Sequence, residues 1–276
     1  IRLEDLDRMG IDMQLISPSP GQRHYWCEPE VADRIARLEN DNVARSVARH
    51  ADRFFGICVL PLQDMDRALR ELDRATGELG LKGILISTAV GPMELSDPHL
   101  EPLWARAEEL DLPFLLHPHL GFTQGERLCE YYMINITGNP IEETLALTHL
   151  IMGGVLERHP RLKICIVHGG GYLPAHVGRL DQGYHINVRP DSRRHITKPP
   201  SEYLKQVYYD TVLFDPDEVA ILVKRYGADH VLMATDYPHD LGLDDPLGFI
   251  DGVPGLTAEE KSAILGGNAR TFFNLE

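Results

Sequence analysis

Apolar residues along this chain fall into two alternating regimes. Short unbroken runs (GIDMQLIS, FFGICVLP, LKGILIST, LPFLLHPH, LKICIVHGG, VYYDTVLF and DHVLMATDYP) are separated by longer stretches in which apolar positions recur at helical spacing. Runs without polar alternation predict strands covered on both faces. Strand then helix in repetition predicts a parallel α/β sheet. One helix start is legible in detail: Asn139 as the cap, Pro140 at the first helical position and Glu142 as the carboxylate of a capping box, ahead of the periodic set Leu145, Thr148, Met152 and Val155. The opening IRLEDLDRMG reads as a charged helix. The seven candidate strands are one short of a (β/α)₈ barrel. With no composition break or Ser/Gly linker, residues 1–276 read as a single barrel domain, and the connections around 18–29, 119–138 and 186–203 as loops over one mouth.

Polar residues interrupt the apolar pattern at equivalent places. His117 ends LPFLLH, His168 ends KICIVH and Asp236 ends VLMATD. A barrel gathers the C-terminal ends of its strands, and residues there read as catalytic. Each has an ordinary reading when taken alone: a histidine in an apolar run is commonly a core residue with a satisfied hydrogen bond, and TDYP suits a turn. Their coincidence points instead to a metal or acid–base site, since imidazole plus carboxylate is the ligand set of a catalytic divalent ion that keeps one position open for water. His119, His149, His159, His176 and His230 lack such placement and default to structure or surface.

Composition narrows the partners. The net charge of −15, from 27 basic and 42 acidic residues, argues against nucleic acid and anionic membranes, both of which reward clustered Lys and Arg. Cys27, Cys58, Cys129 and Cys165 form no Cys-x-x-Cys pair, and together with the absence of a run of about 20 apolar residues this leads us to expect a reducing cytoplasmic setting. HGGG lacks the accompanying Gly-x-Ser-x-Gly of an α/β-hydrolase, and no Walker loop, His-Glu-x-x-His or complete Gly-x-Gly-x-x-Gly is present.

YWCEPE, LLHPH, the long block NPIEETLALTHLIMGGVLERHPRLKICIVHGGGYLPAHVGRLDQGY, LMATDYPHDLG and GNARTFFNLE occur in this order across the chain. In these motifs it resembles the decarboxylase branch of the amidohydrolase superfamily, most specifically between Ile151 and Arg179. The resemblance implies that His117 and Asp236 are metal ligands, and that His168 takes a proton from metal-bound water. It also implies that Arg179 binds the substrate carboxylate, reaching into a neighbouring subunit's site, so that a homodimer is the functional unit. In the family pattern a first strand bearing a His-x-His pair supplies two more ligands, and an upstream arginine contacts substrate. Here IRLEDLDRMGIDMQLIS matches the segment leading into the second strand, so the first strand is apparently missing. At three positions where the family has pocket aromatics, this chain has His119, Asn135 and His239, which become candidate substrate-binding residues.

The resulting expectation is a non-oxidative decarboxylase of an unsaturated or aromatic carboxylic acid, using one divalent ion, zinc or else manganese, with His168 and Asp236 as the catalytic residues. The alternative is a hydrolase or hydratase acting on a lactone, amide or conjugated acid. A third reading is a barrel that serves only as a binding scaffold. His168 is expected near its ordinary pKa of roughly 6.5, and the three glycines after it as a tight strand exit where a side chain would crowd substrate or metal. The protein's negative charge opposes an anionic substrate at long range, so the site must be locally positive.

Overall fold

The computed structural model describes residues 1–119, 126–186 and 188–275; part of the 119–138 connection and one residue of the 186–203 connection thus lie outside the described residues. All seven apolar runs carry strands. These are β1 (Gln14–Ile16), β2 (Phe54–Gly56), β3 (Ile84–Ile86), β6 (Phe114–Leu116), β7 (Ile164–Ile166), β8 (Tyr208–Asp210) and β9 (Val231–Leu232), with a small antiparallel hairpin, β4 (Ala89–Val90) and β5 (Met93–Glu94), standing apart. β1 pairs in parallel with β2, and β3-β6-β7-β8-β9 form a parallel sheet in that order. The two groups join where Cys58 N donates to Gly83 O at 2.9 Å and Leu85 N to Cys58 O at 2.7 Å. Together the seven described strands form one all-parallel wall of the (β/α)₈ barrel kind.

Side chains of these strands point alternately inward and outward. Phe55, Ile57, Leu85, Cys165 and Leu232 build an inner cluster closed by Phe272 and Phe273, and a larger cluster lies between sheet and helices. The helix Pro29–Arg49 turns Ala32, Ala36, Asn40 and Val43 inward at helical spacing. Asn40 then clips helix to wall, its Nδ2 donating to Val59 O at 3.0 Å while Val59 N donates to its Oδ1 at 2.9 Å. The opening segment is helical over Arg2–Met9, as its pattern predicts.

One helix departs from its predicted phase. Residues Asn139–Met152 are preceded without a break by a π-helical turn, Ile134–Gly138, so Asn139 is already inside helical structure and makes no side-chain cap bond. The buried face is Glu142, Glu143, Ala146, Leu147, Leu150 and Ile151, whereas Leu145 is 43% exposed. Glu142 is therefore not a capping carboxylate; its Oε2 accepts from Thr88 Oγ1 at 3.0 Å in the interior. The apolar residues on both faces concealed a register in which two glutamates point inward.

Candidate active site

The strand ends deliver the predicted residues to one place. His117 extends the ladder past β6, its N–H donating to Ile86 O at 3.0 Å, and His168 follows β7. A cavity of about 660 Å³ is lined by His117, His168, Asp210 and Asp236, together with Gly10–Leu15 and Leu232–Tyr237. The His117 and His168 rings meet edge to face with centroids 5.2 Å apart. His168 and Asp236 both hold left-handed backbone, φ 51° and 57°, a conformation that non-glycine residues keep only when surrounding structure enforces it and that clusters at functional sites.

The glycines are required by the fold itself. Gly169, Gly170 and Gly171 have φ of 62°, 83° and 65°, and a Cβ on them would meet Leu213 at 2.5 Å, Pro174 at 2.9 Å and Pro140 O at 2.3 Å. The protein's own packing is enough to demand them. The turn they form is held by Asp210 at the end of β8, whose Oδ1 accepts from Gly169 N and Val212 N, each at 3.1 Å. Burial raises the Asp210 carboxyl to about 6. Asp210 was legible in VYYD by the same strand-end rule that singled out the other three.

Behind His168 stands the other residue that sequence reasoning missed. Glu143, fully buried on the helix Asn139–Met152, bonds through Oε1 to His168 Nδ1, and its Oε2 has no hydrogen-bond partner. Burial alone would depress the His168 pKa; the charge and hydrogen bond of Glu143, with Asp210 and Asp236 beyond, outweigh it and raise the imidazole to about 9. Burial also raises Glu143, against the pull of His168, to about 7. His168 is thus not near its ordinary pKa: the buried pair retains a proton at neutral pH.

His117 is the opposite case. Burial, the neighbouring His168 and Arg23 push it well below the ordinary histidine value, so it is neutral. Its Nδ1 lies 2.7 Å from Pro118 O, which only accepts, so Nδ1 carries the proton and Nε2 keeps its lone pair, the form that binds a metal. Asp236 is half-buried and its carboxyl is raised, chiefly by burial. These two donors fit a divalent ion chemically. No cluster of three His, Cys, Asp or Glu with metal-binding geometry occurs among the described residues, so the donor set is a partial one.

The remaining candidates are less central. His239 is exposed, yet close enough to affect the charge state of both His117 and Asp236. His119 is half-buried with Nδ1 3.1 Å from Pro20 O, and Asn135 sits in the π-helical turn. Arg179 is exposed on the helix Leu173–His185, and no ion pair with Asp181 forms; Asp181 instead accepts from Ser201 N at 2.9 Å. None of the four lines the cavity that holds His117 and His168.

Seven parallel strands with imidazole and carboxylate groups at their C-terminal ends define an enzyme scaffold of the (β/α)₈ barrel class. The Amidohydrolase family model matches residues 1–275, and the chain belongs to that family. It is 34% identical to 2-amino-3-carboxymuconate-6-semialdehyde decarboxylase of Dictyostelium discoideum, over 100% of this chain and 76% of that protein. Among solved structures it resembles 5-carboxyvanillate decarboxylase from Sphingomonas paucimobilis, with a TM-score of 0.91 and 29% identity over 100% of this chain and 82% of the other. It also resembles a dihydroxybenzoic acid decarboxylase from Polaromonas with bound manganese and the inhibitor 2-nitroresorcinol, with a TM-score of 0.88 and 26% identity over 99% and 85% of the two chains.

Proposed function

We propose that this protein is a metal-dependent, non-oxidative decarboxylase of an aromatic or unsaturated carboxylic acid. The observation that carries the reading is the buried His168–Glu143 pair, whose His168 lines the same cavity as His117 and Asp236. His117 through Nε2 and Asp236 through its carboxylate would hold a divalent ion; zinc is the expectation from the ligand types, and the manganese of the Polaromonas relative makes that ion the second to test. A bound ion would supply positive charge to polarise the substrate and offset its carboxylate. His168, holding a proton at neutral pH, donates it to the carbon that bears the carboxylate; the bond from that carbon to the carboxylate breaks, CO₂ leaves, and the added proton remains in the product. Glu143 keeps Nδ1 occupied, so the transferable proton is the one on Nε2. The exposed Arg179 supports a homodimer in which it serves the neighbouring subunit's substrate, and we expect the protein in the cytoplasm; no described helix is long and apolar enough to cross a membrane.

The test is CO₂ release from a panel of aromatic and unsaturated carboxylic acids by the metal-loaded, full-length protein. His168→Ala should keep its metal and lose about 10²- to 10⁴-fold in turnover, while Asp236→Ala should lose metal measured by mass spectrometry. Hydration or hydrolysis products without CO₂ across the panel would overturn decarboxylation.

A further inference from the structure

Arg23 follows the 3-10 turn Pro20–Gln22 and is only 4% exposed. Its Nη1 donates to His117 O at 3.0 Å, while Nε and Nη2 are buried without a hydrogen-bond partner. No carboxylate pairs with it among the described residues, and the stretch 120–125, LGFTQG, contains no acid. A buried cation without a counter-ion is costly, and burial lowers the Arg23 pKa to about 10. Tyr25, also buried, is near enough to feel that charge. The turn itself is firmly set: Ser19 N donates to Gln22 Oε1 at 2.8 Å, and Gln63 Nε2 donates to His24 O and Cys27 O, each at 3.1 Å.

Nε–H and Nη2–H are the parallel donors of one guanidinium edge, the arrangement that a carboxylate accepts with two bonds. We propose that Arg23 is a specificity-determining residue that receives a carboxylate of the substrate, and that this carboxylate is retained in the product. The proposal rests on the decarboxylase reading for the second clause. An ion pair of this kind stabilises the charged carboxylate and is lost on conversion to neutral CO₂, so it would oppose departure of the group it holds. The leaving carboxylate belongs near His168, and Arg23 selects substrates that carry a second one. Its free edge is closed to solvent, so entry displaces a neighbouring side chain, for which the half-buried His119 beside Pro20 O is the candidate.

Titration calorimetry on the metal-loaded, full-length protein, with isophthalate and benzoate as probes, tests this without requiring turnover. Wild type should bind isophthalate more tightly; Arg23→Gln should weaken isophthalate about 10- to 100-fold, the range of a charge-assisted hydrogen-bonded pair, and leave benzoate within about 3-fold. Should Arg23→Gln fail to fold by circular dichroism, Arg23→Lys, which keeps the charge but not the paired donors, should still narrow the gap between the two probes. Equal binding of the probes to wild type, or equal weakening of both in the folded variant, would show Arg23 to be only a clip for the His117 loop and overturn the proposal. Selective, Arg23-dependent binding without CO₂ release from any acid would instead retain the receptor and remove the decarboxylase reading.

Discussion

Two fully buried glutamates in this protein are handled in opposite ways. Glu71, on the helix Met65–Gly77, has both oxygens occupied: Oε1 accepts from Asn40 Nδ2 at 2.7 Å and Arg74 Nη2 at 2.8 Å, and Oε2 from Arg74 Nε at 2.8 Å and Arg37 Nη1 at 3.2 Å. Glu143 has one partner, His168, and one oxygen with none. Burial is equal in the two cases, so burial alone does not mark function. A carboxylate whose acceptors are all met by fixed donors joins elements of the fold together; one left partly unmet, against a titratable partner that lines a cavity, keeps a proton in play.

The sharpest way to break the comparison is at Glu71. Glu71→Ala leaves Arg74 and Asn40 without their shared acceptor, and removing one partner of a buried ion pair costs about 3–5 kcal/mol. Chemical denaturation should register that loss, while the activity of molecules that remain folded stays near wild type. Glu143→Gln should do the reverse. It keeps the volume and an acceptor for Nδ1, so the denaturation midpoint should move little, yet kcat should fall by about 10- to 100-fold, the cost typical of removing a carboxylate that orients a functional histidine, with KM nearly unchanged. A variant that instead lost stability without losing kcat would place Glu143 in the same class as Glu71.

The contrast also explains what the sequence could and could not reveal. Strands buried on both faces write continuous apolar runs, so the seven strands and the polar residues ending three of them were legible. Asp210 obeys the same rule, ending the strand Tyr208–Asp210, but the apolar run continues past it through Val212 and Leu213 and masks the strand end. Glu143 carried no such signal: in NPIEETLALTHLIM apolar residues flank it on both sides, and only the uninterrupted entry through Ile134–Gly138 sets the phase that turns it inward. Arg23 was hidden more deeply. In SPSPGQRHYW it reads as a solvated turn residue, and its burial depends on the tertiary approach of the His117 carbonyl, ninety-four positions along the chain.

The smallest expected effect concerns stability against pH, and its sign follows from both members of the pair. His168 is raised from 6.5 to about 9, so its contribution is complete below 6.5 and is lost as pH climbs towards 9. Glu143 is raised from 4.5 to about 7, so it favours the folded state less as pH climbs through that interval. In both cases the native state binds more protons than the unfolded chain, and stability falls with rising pH between about 4.5 and 9. Other groups titrate over the same range, Asp210 among them, so the informative quantity is the difference between wild type and Glu143→Gln. Without the carboxylate, His168 returns towards a lower pKa and the glutamate's own titration is gone. The variant's denaturation free energy should therefore decline less between pH 5 and pH 9, by on the order of 1 kcal/mol. Parallel curves for the two proteins would mean that the pair exchanges no proton with solvent over this range, and Glu143 would then act on His168 by orientation alone.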